Sequence, residues 1–419
     1  MFVYGQLNSN QIHVGIKMAI FSTVHTQAGI RQRSLRKHCR VGRATELVFV
    51  LATGVMLTIG GTAQAQDWLG TVNTRFENDG NWDGGVAPAP GGVVTITNNT
   101  LNPTQVFVDA DVASVTISGT GDLNIRAGVS LTSSTTVQTG GTLTVRGTHI
   151  GGISAEAGAS MTVVSVGLVN GTLTNAATGS LNAGTINALD NDGGTFTNNG
   201  TVTTTTTVDG GTVTNTDTMT GLATVNGGTL SSSGTLTAGA NNNAGGTLNI
   251  TGGTSGAVTN AGILDLSGGT TASVTQSAGS TTVSGNATVT GLTDINGGSL
   301  TVNAGQTLTA TGGVDIASGA TGAINGTVTG DLTTAGDTDV GSGGSISGTM
   351  TNSGTGSSNA GTINALDNDG GTFSNTGTVT TTTTVDGGTV TNSNIMTGLA
   401  TVNGGTLSSS GTLTAGANN

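Results

Sequence analysis

Paired carboxylates are the residues of this sequence best suited to chemistry. Asp190-Asn191-Asp192-Gly193 sets two acids two positions apart ahead of a glycine, and the same four residues return as Asp367-Asn368-Asp369-Gly370. Asp190, Asp192, Asp367 and Asp369 are therefore candidate ligands for calcium, a hard cation that takes about six to eight oxygens. The pattern lacks the later bidentate acid of an EF-hand, and the calcium-binding nonapeptide GGxGxDxUx does not occur. Asp-Gly is also ordinary turn chemistry, because the acid bonds its own backbone and glycine accepts a positive φ. The two readings, calcium site and turn, both stay open at this point.

Other chemistry finds less support. Beyond residue 65 there is one histidine, His149, and no Cys, Lys or Tyr. A serine nucleophile needs a histidine base within reach. No nucleophile elbow marks any of the many serines, so His149 reads as a surface-loop residue and no catalytic residue is assigned. A single histidine anchors a zinc site poorly. β-Helical polysaccharide lyases and glycosidases need clustered acids with basic or aromatic substrate contacts. Here the body holds only Arg75, Arg126 and Arg146, all in the N-terminal third.

The acids lie in a stretch that orders the whole chain. Residues 182–242 return at 359–419 with five substitutions, offset by 177. Inside this block a shorter period runs. Thr195-Phe196, Thr212-Val213 and Thr229-Leu230 recur every 17 residues, and Thr247-Leu248 follows after 18. The apolar positions 196, 202, 208, 213, 219, 225, 230 and 236 are spaced by five or six. Thr, Val and Ile are stiff at Cβ and favour strands, while Gly and Asn allow the turns between them. A strand of two to four residues plus a turn fills about six residues, and three such sides close a coil of roughly 17–18. Stacked coils line up one inward residue per side, burying a face that no coil buries alone. A helix is excluded by the threonine run 203–207 and by the glycine density. The expected fold is all-β: a single-stranded parallel β-helix, or solenoid, with an N-terminal cap.

Composition narrows the choice further. Of 419 residues 74 are Gly and only 3 Pro, with 2% aromatic and 8% charged. Low complexity of this kind suits disorder, but scarce proline and apolar residues in register favour the solenoid. From Gln66 onward three arginines face twenty-one acids, a formal charge of −18. Such a surface repels nucleic-acid phosphate and anionic lipid, so no nucleic-acid partner is expected. Cys39, the lone cysteine, lies in the leader, so no disulfide staples the body.

Taken in order, residues 1–65 read as an extended signal peptide. A basic stretch over 31–43 precedes the apolar run 47–59, and Ala63-Gln64-Ala65 supplies the small residues for cleavage after Ala65. The apolar run is too short to span a bilayer. Residues 66–111 hold Trp68, Phe76 and Trp82, bulky enough to cover the first coil as a cap; a sugar-stacking site is the other use of such aromatics. From 112 to 419 the beat persists, as in Ile117, Leu123 and Val129, in Ile125, Leu131, Val137 and Leu143, and later in Val283, Val289, Ile295 and in Val302, Leu308, Val314. It weakens between His149 and Val169, where a longer loop is expected. At the strand spacing of about 4.8 Å, roughly 17 coils from residue 112 would reach on the order of 80 Å.

A Trp just after the signal, then Asn81-Trp82, Gly85-Val86-Ala87-Pro88 and Val93-Val94-Thr95-Ile96, resembles the start of bacterial autotransporter passenger domains. The following stretch, through Val145, is similar to their early β-helix coils, and the long leader resembles the extended signals of some large bacterial surface proteins. The resemblance implies secretion across the outer membrane, a passenger β-helix and a C-terminal membrane barrel. No barrel pattern of alternating strands with aromatic girdles occurs here. The expectation is therefore a truncated copy of a longer product, touching the membrane only through a barrel beyond Asn419.

Two function classes follow. The first is an exported, non-enzymatic surface protein acting in adhesion or as a stalk. Its partner would be a glycan or protein surface on a host or neighbouring cell, or another copy of itself. The second is a β-helical carbohydrate-active enzyme, a lyase or glycosidase. Outward threonines at regular spacing also suit an ice or carbohydrate lattice, although threonine is simply a good solvent-facing strand residue whose hydroxyls form ladders between coils.

Overall fold

The computed structural model describes residues 65–98 and 101–419. These residues belong to one compact unit, Thr62–Asn419. The expected leader features, from the basic stretch through Cys39 to the apolar run, lie outside the described residues.

One coil shows how the sequence makes the fold. Thr195–Asn198, Thr201–Val202 and Thr206–Val208 are its three strands. The next coil repeats them as Thr212–Asn215, Thr218–Met219 and Ala223–Val225. Each strand pairs in parallel with its counterpart one coil on, Thr195 beside Thr212, Thr201 beside Thr218 and Thr206 beside Ala223. Parallel strands need a crossover, and here the other two sides of the coil provide it. Among the described residues the first side builds a sheet of 18 strands and the other two sides one of 30. Over the described residues the result is a β-solenoid of about 19 turns with essentially no helix.

Side chains alternate in and out along every short strand. Phe196, Val202, Val208, Val213, Met219, Val225, Leu230 and Leu236 are all buried, as the beat predicts. Each contributes about 1.5–3 kcal/mol by leaving water. The corners tolerate only glycine where successive coils touch. Gly194, Gly211 and Gly228 stack with φ of 61°, 63° and 65°, and a Cβ on Gly211 would collide with the Gly194 carbonyl.

The interior is not wholly apolar. Asn182, Asn198 and Asn215 are buried and stack in consecutive coils. Asn182 Nδ2 donates to Asn198 Oδ1 at 2.7 Å, Asn198 Nδ2 to Asn215 Oδ1 at 2.7 Å, and Asn215 Nδ2 to Ser232 Oγ at 3.0 Å. The duplicated block repeats the chain through Asn359, Asn375, Asn392 and Ser409. Each amide is donor and acceptor at once, so identical residues one coil apart satisfy each other, and burial costs little once the bonds are made.

The N-terminal aromatics are buried, and their rings meet edge to face. Trp82 lies 5.1 Å from Trp68 and 5.0 Å from Phe76. Trp82 Nε1 donates to the Phe76 carbonyl at 2.7 Å. Parallel stacking already begins within the segment expected to be only a cap: Ala65–Asp67 pairs with Val93–Asn98, which pairs with Ala110–Thr120. The expected loop between His149 and Val169 is absent. Strands Thr148–Ile150, Ile153–Ala155, Ser160–Val163 and Leu168–Asn175 fill it. The apolar beat fades there because a histidine takes an inward position, not because the coil is interrupted.

Candidate functional site

Asp190 sits on strand Thr185–Asn191, facing outward between Thr174 and Thr207 of the neighbouring coils. Asp192 follows at the corner. The structure adds a third acid that neighbour-to-neighbour reading misses. One coil on, Asp209 occupies the same corner as Asp192, because Asn191 pairs with Val208. The carboxylates of Asp190, Asp192 and Asp209 all lie within 4.8 Å of one another, and the second block reproduces the group as Asp367, Asp369 and Asp386. The signal is present in the sequence as Asp192-Gly193-Gly194 and Asp209-Gly210-Gly211, one coil length apart.

The electrostatics follow from this crowding. Partial burial raises the Asp190 carboxyl above the ordinary aspartate range, and the charges of Asp192 and Asp209 add to the rise. Asp367 is raised for the same reasons beside Asp369 and Asp386. Oδ1 of Asp190 and of Asp367 is buried without a hydrogen-bond partner in the protein. Asp209 is partly satisfied: Asn226 donates to its Oδ1 at 2.7 Å, and Asn243 donates to Asn226 at 2.6 Å. Asn403 holds Asp386 in the same way at 2.7 Å. Three carboxylates would supply part of a calcium shell, with water or backbone oxygens completing it.

Without a cation the trio costs stability at neutral pH. A folded-state carboxyl with a raised pKa is disfavoured when charged, and the cost vanishes below the unfolded value of 3.8. Asp190→Asn is therefore expected to raise the melting temperature slightly at pH 7 in calcium-free buffer and to leave it unchanged at pH 3. A lower melting temperature at pH 7 would show that the charged trio is held by something that stabilises it.

His149 is not on a surface loop. It is fully buried, stacked between Leu131 and Val169 in the interior ladder. Its Nε2 lies 2.8 Å from Thr135 Oγ1 and 3.2 Å from Ser133 Oγ, and the two hydroxyls are 2.8 Å apart. Burial lowers its pKa to about 4, against a smaller opposing effect of the Gly151 backbone. The imidazole is neutral at pH 7. A serine and a histidine are thus brought together, but inside the core, where no substrate reaches them. They act as a polar plug in the stack, the place that leucine or valine takes in neighbouring coils.

The outer surface is the most regular feature. Thr185, Thr201, Thr218, Thr235, Thr254, Thr270, Thr288, Thr309 and Thr329 stand in one column, each paired with the next. All nine are partly or fully exposed. On the 18-strand sheet, Thr195, Thr212, Thr229 and Thr247 form another column, with Thr197, Thr214, Ser231 and Asn249 beside it. The fold and these columns define a class, a repetitive parallel β-solenoid that offers the same polar face coil after coil. No protein-family model matches the chain, and no curated protein or solved structure matches it.

Proposed function

We propose that the chain is the passenger of an autotransporter-like surface protein, exported through its leader and acting in adhesion or as a stalk, without catalysis. The unbroken threonine column from Thr185 to Thr329 is the observation that carries this reading. Hydroxyls and amides repeated at the strand spacing of about 4.8 Å offer many equivalent weak contacts. Several engaged together give avidity without a strong single site. Catalysis instead needs a few perturbed groups converging on an accessible point. The perturbed carboxyls outside the core are Asp109, Asp122, Asp190 and Asp367, and only the last two stand in an acid cluster, among threonine and asparagine. The partners that fit are glycan or protein surfaces on other cells, or further copies of the chain.

Displayed on the surface of a non-adherent host, the chain is expected to make cells clump or attach. Cells that do neither, together with a purified chain that turns over a glycan, would replace this reading with the carbohydrate-active enzyme.

A further inference from the structure

The cations of the described body converge at one corner. Arg75, Arg126 and Arg146 are its only basic residues apart from His149. Val106, Ile125 and Val145 pair in three successive coils, so Phe107, Arg126 and Arg146, each the next residue, follow one another along a single corner. The backbone bonds confirm the register: Arg126 N donates to the Val106 carbonyl and Arg146 N to that of Ile125. The Phe107 ring carries the Arg126 guanidinium 4.3 Å from its centroid and that of Arg75 at 4.6 Å. Arg75 is also paired with Glu77 at 3.4 Å. Arg126 and Arg146 are exposed, and among the described residues neither has an ion-pair partner. Further along, the corner is neutral, passing through Val164, Ala183, Asn199 and Thr216.

The acids repeat at the same interval. Asp192 and Asp209 are exposed at one corner of consecutive coils, as are Asp369 and Asp386. Both intervals are set by the spacing of parallel strands, about 4.8 Å. Two guanidiniums one coil apart therefore match two carboxylates one coil apart, and the match holds between different molecules because it is a property of the stack. Stacking on Phe107 holds Arg126 in place, so it loses less freedom on pairing.

We propose that the Arg126–Arg146 corner of one copy docks on the Asp192–Asp209 or Asp369–Asp386 column of a second copy. The inference deepens the contact function proposed above, and its use between cells rests on that reading. Each exposed pair is individually weak, so single contacts are short-lived and crowded arrays are needed for lasting ones. The two patches differ, so the contact is heterologous and leaves a free cationic corner and a free acidic column at its ends. Growth is open rather than closing at a dimer.

The test is sedimentation velocity of residues 66–419, which fall within the compact unit and leave out the cationic leader, across a concentration series at two ionic strengths. At about 0.01 M salt, where the screening length is about 30 Å, the average sedimentation coefficient should rise with concentration; at about 1 M it should not. Arg126→Gln/Arg146→Gln should stay monomeric at both. So should Asp192→Ser/Asp209→Ser/Asp369→Ser/Asp386→Ser, with circular dichroism confirming an unchanged fold for each. Mixing the two variants should restore small complexes joined by single contacts, without further growth. A wild-type chain that is monomeric at low salt, or arginine variants that associate as it does, would overturn the proposal. So would a monomeric wild type whose arginine corner instead binds a carboxylated polysaccharide. Displayed cells that still attach while the purified chain stays monomeric would sink the docking alone and leave the contact function standing.

Discussion

Lowering the pH from 7 to 4 is expected to destabilise the coils around His149 by about 3 kcal/mol. The histidine pKa is 6.5 when unfolded and about 4 in the fold, and each unit of difference corresponds to about 1.4 kcal/mol. Below pH 6.5 the unfolded chain takes up a proton that the folded chain refuses until about pH 4. Stability is therefore full above 6.5 and falls as the pH drops through that window. The groups facing the ring do not rescue the cation. From Ser130–Val137 come the hydroxyls of Ser133 and Thr135 and the side chain of Leu131; from Leu168–Asn175 comes Val169. Leu143, Val145, Met161 and Val163, on the strands Thr142–Val145 and Ser160–Val163, belong to the same apolar core, and none of them is titratable. Each coil contacts only its neighbours, so the loss should be local. Amide hydrogen exchange at pH 7 and pH 4 reads it as reduced protection centred on residues 131–175. His149→Leu completes the apolar ladder and should abolish the acid sensitivity. The same loss of protection in that variant would contradict the assignment.

The second large effect concerns Gly221. Ser, Ala or any larger residue there meets the Thr204 carbonyl of the previous coil at less than any non-bonded distance, and Gly398 meets Thr381 in the same way. The obstacle is backbone, so no rotamer change relieves it, and both coils must part. Gly221→Ala is expected to cost on the order of 3 kcal/mol, the upper range for overpacking. Gly193 is the internal control, because an added Cβ there touches nothing within 4 Å. Gly193→Ala should change stability by no more than about 0.5 kcal/mol, as for ordinary surface substitutions. Denaturant unfolding of the two variants distinguishes them, and equal midpoints would mean that the coils are not stacked in this register.

The two glycines look alike in the sequence, and the contrast shows where reading along the chain stops. The beat at 196, 202, 208 and onward identifies the buried positions because apolar residues alternate with threonine in phase. Asparagines at the ends of the strands look like turn formers. Asn198 and Asn215 are instead interior, and their meaning depends on the identical residue one coil away. His149 is hidden for a related reason. It lies 18 residues after Leu131, in phase with the ladder, but its polarity points to the surface. Asp209 completes the acid trio only through the stack, since coil-to-coil neighbours are about 17 residues apart. Properties carried by one strand are legible; those requiring two coils appear only once the register is fixed. Whether the threonine columns make contacts is a question of function, and here the coil architecture supplies a direct test.

Removing Thr195–Gly228 takes out two whole coils. The join of Gly194 to Thr229 reproduces the native Gly228-Thr229 corner, because Gly194 and Gly228 have nearly the same φ, 61° and 65°. Displayed on a non-adherent host at equal surface density, the shortened chain should keep its strand signal and still mediate clumping or attachment, at a reduced level. That graded loss is what a contact surface distributed over repeated columns predicts. Complete loss of contact with the fold intact would place the function at one site within the deleted coils and contradict the account.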